Sequence, residues 1–137
     1  MLECLILGDS IAVGTHQVRT ECVAYAKGGI NSWQWNKTHG SKDLAAKTVI
    51  ISLGSNDYRS INTYEELHTL RQLVKADRVY WILPAIKDAK RANVQKVADK
   101  YHDIIIDSRN HELSADGVHP TYKGYKAIAK KTQGDTQ

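Results

Sequence analysis

Ser10, Asp116 and His119 are the residues of this chain whose types and spacing offer chemistry. Ser10 closes the run Gly8-Asp9-Ser10 after an apolar segment, and Asp116 stands three positions before the histidine in Asp116-Gly117-Val118-His119-Pro120. A serine hydroxyl attacks a carbonyl well only when a base takes its proton. An imidazole is such a base, and a carboxylate on its other ring nitrogen sets the tautomer. Two more groups suit the oxyanion that such an attack creates. Glycine lets a substrate oxygen approach a backbone N–H without meeting a Cβ, which Gly28 and Gly29 both offer, and Asn56 supplies a neutral amide donor.

Taken singly, each residue has a plainer role. Ser10 suits a helix cap, Gly29 a turn, and Asp116 with His119 an ordinary loop. Asp9, Asp57, Asp116 and His119 could be grouped as metal ligands, yet their spacing matches no ligand motif such as His-Glu-x-x-His, so no metal and no cofactor are expected. Phosphate binding at the helix opened by Ser10 would need a glycine-rich loop that is missing here.

The elements that must position these residues follow from hydrophobic spacing. Short, nearly continuous apolar runs at Leu5 to Leu7, Cys22 to Ala26, Val49 to Leu53, Val79 to Leu83 and Ile104 to Ile106 predict five strands buried on both faces. Helical spacing falls between them, from Ile11 to Val18, at Tyr64-Leu67-Leu70-Leu73-Val74, from Ala89 to Tyr101, and in the tail from Tyr122 to Ala129. Alternation of this kind predicts a three-layer α/β/α domain spanning residues 1–137 around a five-stranded parallel sheet. Ligands bind such sheets at the carboxyl ends of the strands. Gly8-Asp9-Ser10, Gly28 to Ser32 and Gly54-Ser55-Asn56-Asp57 each follow a strand at that edge, and the Asp-Gly-Val-His segment follows the fifth.

Gly8-Asp9-Ser10, the isolated glycine block Gly29-Ile30-Asn31-Ser32, Gly54-Ser55-Asn56-Asp57 and Asp116 to His119 occur in that order. Pro120 and Tyr122-Lys123-Gly124-Tyr125 follow. In these blocks, from Leu5 to Tyr125, the chain resembles the SGNH hydrolases, also called the GDSL esterase/lipase family. The resemblance implies a flavodoxin-like sheet and ester hydrolysis through an acyl-enzyme. Carried onto this chain, it makes Ser10 the nucleophile and an oxyanion-hole donor, Gly29 and Asn56 the other two donors, His119 the base and Asp116 its orienting partner. Matching Gly29 to Ser32 with the family's second block favours Gly29 over Gly28. Members act on acetylated sugars, short acyl esters, lysophospholipids and thioesters. Short connections leave little material for a lid or acyl tunnel, so a small acyl group such as acetyl on a small-molecule or carbohydrate ester is the expected substrate. The alternative is a catalytically idle domain that binds acylated or glycan ligands through the same cleft.

Composition bounds the rest. The 137 residues are 42% hydrophobic and 25% charged with a net charge of +4, and the lysines are scattered rather than clustered, which argues against a nucleic-acid partner. No run is long enough to span a membrane, and Met1 to Leu7 does not read as a signal peptide, so a cytoplasmic location is expected; the compact form also suits a viral gene product. Cys4 and Cys22 lie in or beside apolar runs and read as small unbonded core residues in a reducing compartment. Asp9 and Asp57 read as helix caps, loop braces or substrate contacts. Tyr58 and Arg59 should stand at the mouth of the site. Trp33 and Trp35 cannot share one helix face, so one should be buried and the other exposed as a platform for sugar or lipid. No exposed apolar stripe argues for a homodimer.

Overall fold

The structure is a computed structural model that describes residues 1–86 and 88–133. Strands β1 (Leu2–Gly8), β2 (Val23–Ala26), β3 (Ala46–Ser52), β4 (Arg78–Leu83) and β5 (Ile104–Asp107) alternate with helices α1 (Ser10–Val18), α2 (Ser32–His39), α3 (Thr63–Leu73), α4 (Ala89–Tyr101) and α5 (Tyr122–Lys131). The strands form one parallel sheet in the order β2-β1-β3-β4-β5, the flavodoxin-like arrangement, as the apolar runs and their spacing predict.

The near-continuous apolar strands are explained by two separate cores. Leu5 and Leu7 of β1 share one sheet face with Val49, Ile51 and Trp81, and are covered by Trp35 of α2, Leu67 and Leu70 of α3, and Val94 and Val97 of α4. Cys4 and Ile6 point the other way with Ile50, Tyr80 and Ile82, under Ile11 of α1 and Ile128 of α5. Alternate residues of one strand thus face opposite layers, and both layers are apolar. Each helix starts at a short polar side chain that accepts a backbone N–H of its first turn: Asp9, Asn31, Asn62, Asp88 and Thr121.

Cys4 and Cys22 are joined in a disulfide, with Cα atoms 4.8 Å apart. This corrects the expectation of two unbonded thiols. The parallel register pairs Leu5 with Val23, so the residues just before them lie side by side, a lateral relation that a separation of 18 along the chain does not reveal. The cysteine argument for a reducing compartment falls with it, because such bonds persist in oxidising surroundings. Among the described residues, no helix is long and apolar enough to cross a membrane.

Candidate active site

Ser10 reaches its place through a tight strand-to-helix turn. Gly8 has φ +144°, and a Cβ built there would stand 1.8 Å from the Ser52 carbonyl oxygen, so only glycine lets β1 pass this close to β3. The chain then turns, Asp9 N–H donates to Ser52 O at 2.9 Å, and α1 begins at Ser10. Asp9, not Ser10, is the cap: its Oδ1 accepts the Ile11 N–H at 3.1 Å and the Ser52 hydroxyl at 3.0 Å. The Ser10 hydroxyl is therefore free of capping duty. It lies 2.8 Å from His119 Nε2, a contact between residues 109 positions apart.

His119 is presented by a narrow hairpin after β5. Leu113 and Pro120 pair antiparallel, Ser114 N–H donates to His119 O at 2.8 Å, and Gly117 at φ +70° makes the turn. Asp116 Oδ2 lies 2.7 Å from His119 Nδ1. An ionised carboxylate only accepts, so Nδ1 carries the proton and Nε2 is left to accept from Ser10. The other oxygen, Oδ1, accepts the backbone N–H groups of Val118 and His119, each at 2.9 Å. The Ser114 hydroxyl lies 2.9 Å from both Asp116 Oδ1 and His119 O. The Val118 and His119 backbone donors, with the His119 ring and Ser114 adding to them, hold the Asp116 carboxyl well below the usual carboxylate range.

Two loops flank Ser10. Lys27 to Ile30 form a turn closed by Ile30 N–H to Lys27 O at 3.2 Å, with Gly29 at φ +80° as its third residue, the conformation a type II turn demands. A Cβ on Gly28 would lie 3.9 Å from the Ser10 Cβ, so this turn stands beside the serine. The Gly29 N–H donates to no acceptor among the described residues, and Ser10, first in its helix, has no intrahelical carbonyl for its own N–H. From the β3–α3 loop, Asn56 Nδ2 donates to Ile30 O at 3.2 Å, which ties the two loops together and leaves its second amide proton unassigned.

The next residue, Asp57, is buried and acts as a clamp. Its Oδ1 accepts the Ser32 N–H at 2.8 Å, and its Oδ2 accepts the hydroxyls of Ser32 at 2.6 Å and Thr63 at 2.7 Å. Asp9 and Asp57 are thus buried braces of these loops. Burial pushes the Asp9 carboxyl up from 3.8 to about 6 despite the hydrogen bonds from Ser52 and Ile11. Asp9, Asp57, Asp116 and His119 do not converge as a ligand cluster. Among the described residues the only such group is Cys4, Glu21 and Cys22, and its two thiols are bonded to each other. Trp35 is fully buried while Trp33 is 46% exposed, and Tyr58 is 66% exposed with Arg59 beside it at the surface.

At the level of sequence, the chain matches no family model and no curated protein. Its shape is shared. A GDSL-like lipase from Bacteroides thetaiotaomicron superposes with a TM-score of 0.70 at 18% identity, the match covering 98% of this chain and 89% of that one. The fold is that of the SGNH hydrolases. A carbohydrate acetylesterase from Sinorhizobium meliloti gives a TM-score of 0.64 at 15% identity over 98% of this chain and 99% of its own. The catalytic domain of a Streptococcus pneumoniae peptidoglycan O-acetyltransferase gives 0.61 at 19% over 98% and 90%. On this SGNH fold the four sequence blocks all lie at the carboxyl edge of the sheet, three directly after β1, β2 and β3 and the last after β5. Ser114, Ser52 and Thr63, which the sequence does not single out, and Ser32, to which it gives no role of its own, hold the named carboxylates in place. Isolated serines and threonines carry no spacing signal, and only the tertiary contacts give them partners.

Proposed function

We propose that this protein is a serine ester hydrolase that works through an acyl-enzyme on small acyl esters, acetyl above all, of small-molecule or carbohydrate alcohols. The observation that carries the reading is the continuous relay from Ser10 Oγ to His119 Nε2 at 2.8 Å and from His119 Nδ1 to Asp116 at 2.7 Å. Ser10 Oγ attacks the ester carbonyl carbon while its proton passes to His119 Nε2. The carbonyl oxygen becomes negative and is met by the N–H groups of Ser10 and Gly29 and by Asn56 Nδ2. The alcohol oxygen leaves with the proton from His119, and Ser10 holds the acyl group. Water then repeats the sequence, giving its proton to His119 and releasing the carboxylic acid and Ser10.

Asp116 stays ionised throughout and stabilises the imidazolium that forms in each half-reaction. The open carboxyl edge, where Tyr58 and Trp33 are exposed and connections are short, favours a small acyl group. The test is hydrolysis of p-nitrophenyl esters from acetate to long chains by the wild type and by Ser10→Ala. Acetate turnover that falls roughly 10⁴-fold in the variant supports the reading. A folded wild type inert toward every ester would move the protein to the alternative, an idle domain that binds acylated or glycan ligands.

A further inference from the structure

Beyond the reacting atoms, a groove of about 530 Å³ lies between the first turns of α2 and α3, lined by Asn31, Trp33, Gln34, Tyr58, Asn62 and Glu66 among others. That volume is in the range of small-ligand sites. It shares Gln34 and Tyr58 with a second groove of about 470 Å³ that includes Gly28 and Gly29, the turn beside Ser10. The two together lead from the glycine turn beside Ser10 outward past Tyr58 to Trp33.

The hydrogen bonding of the first groove is one-sided. Asn31 Oδ1 accepts the Gln34 N–H at 2.8 Å, Asn62 Oδ1 accepts the Glu65 N–H at 3.2 Å, and Gln34 Oε1 accepts the Asn31 N–H at 3.4 Å. All three amide oxygens are engaged by backbone, which fixes each side chain so that its NH₂ is the remaining group. None of those three NH₂ groups donates to an acceptor among the described residues, although Asn31 is only 2% exposed. Gln34 and Asn62 are exposed and the Asn31 amide nitrogen itself reaches solvent, so all three donors are free to exchange water for a ligand acceptor. Glu66, held by Asn36 Nδ2 at 2.9 Å, adds a carboxylate that accepts hydroxyl protons and repels anions. Trp33 and Tyr58 supply exposed aromatic faces, and Lys37 Nζ, 4.8 Å from the Trp33 ring centroid, braces the indole on its own helix.

We propose that this groove is a glycan subsite that seats the sugar chain of a neutral O-acetylated oligosaccharide while its ester lies at Ser10; the assignment rests on the esterase reading only for the position of the ester. A sugar ring presents a C–H face for stacking and a rim of hydroxyls, each both acceptor and donor. Those features match two aromatics, three unengaged amide donors and one carboxylate. A fatty acyl chain would leave the amides without acceptors. An extended peptide would need a free strand edge or apolar pockets, and the groove lies between two helix ends instead. Asp57 sets the width, because it ties Ser32 at the start of α2 to Thr63 at the start of α3.

Binding is measured in the Ser10→Ala protein, where no turnover consumes the ligand, by calorimetric titration with xylotetraose, cellotetraose and chitotetraose, plain and O-acetylated, and with decanoate. The inference expects at least one tetrasaccharide to bind, and Trp33→Ala or Tyr58→Ala in that background to weaken it about tenfold or more. Both are surface side chains, and circular dichroism checks that each variant is folded. No tetrasaccharide binding up to about 10 mM, binding indifferent to both substitutions, or binding of decanoate alone would overturn it. Ester hydrolysis by the wild type is read separately. Glycan binding without any esterase activity would sink the esterase reading and leave the groove assignment standing.

Discussion

Asp9 and Asp116 stand on either side of the same serine and are held in opposite ways. Asp9 is buried beneath the start of α1 with one backbone and one hydroxyl donor on Oδ1, and its carboxyl is pushed up to about 6. Asp116 is half exposed on a hairpin, yet two backbone N–H groups, an imidazole and a serine hydroxyl draw it down. In the proposed mechanism, directed donors rather than enclosure keep the carboxylate behind the base ionised. Enclosure is reserved for the carboxylate that shapes the turn. A base partner that must remain negative while an imidazolium forms beside it is better served by fixed N–H groups than by a low dielectric.

Removing the charge on each side tests that contrast most directly. Asp116→Asn keeps the size but favours the wrong His119 tautomer. Turnover of p-nitrophenyl acetate should fall about 10³–10⁴-fold with the thermal midpoint nearly unchanged. A loss under tenfold would mean that His119 is oriented by another group. Asn56→Ala removes a proposed oxyanion donor and should cost roughly 10²–10³ in kcat while KM moves little. Asp57→Ala strips three donors of their acceptor in a buried place, so it should lower stability by about 3 kcal/mol in urea titrations. Cys4→Ser with Cys22→Ser opens a loop of about 18 residues and should also cost about 3 kcal/mol, with the proposed ester site itself unaltered.

The effect of Asp9→Asn runs the opposite way. With a folded pKa near 6 against 3.8 unfolded, the native state holds its proton more tightly, so this residue's contribution is greatest below about pH 4 and is lost as pH rises through about 6. Asparagine keeps an acceptor for Ile11 and Ser52 without the charge. The variant should therefore be more stable than the wild type above pH 6, by up to about 3 kcal/mol, and show a flatter stability profile between pH 4 and 6. A wild-type profile that rises across that interval, unaltered in Asp9→Asn, would show that burial does not govern this carboxyl.

Much of the molecule was legible in the residues because the signals are local. The β-branched runs ending near Leu7, Ser52 and Leu83 became β1, β3 and β4, and the helical spacing from Ala89 to Tyr101 became α4 with the same bounds. Ser10, His119 and Asp116 stand out by type and order, two of them only three positions apart, and the fold brings all three into contact. The tryptophans divided as helix geometry requires, Trp35 buried and Trp33 exposed.

Sequence alone therefore determined the layers and the edge of the sheet that carries polar loops, and it singled out the serine and histidine that meet there. The tertiary structure alone decided what depends on lateral neighbours. The register of β1 against β2 brings Cys4 to Cys22, the depth of Asp57 makes it a clamp between two helices, and the committed amide oxygens of Asn31, Gln34 and Asn62 leave a donor-lined groove. Hydrophobic period and turn chemistry act within a few residues along the chain. Burial and hydrogen-bond partnership are set by residues far apart in it, and take effect only once the sheet has brought them together.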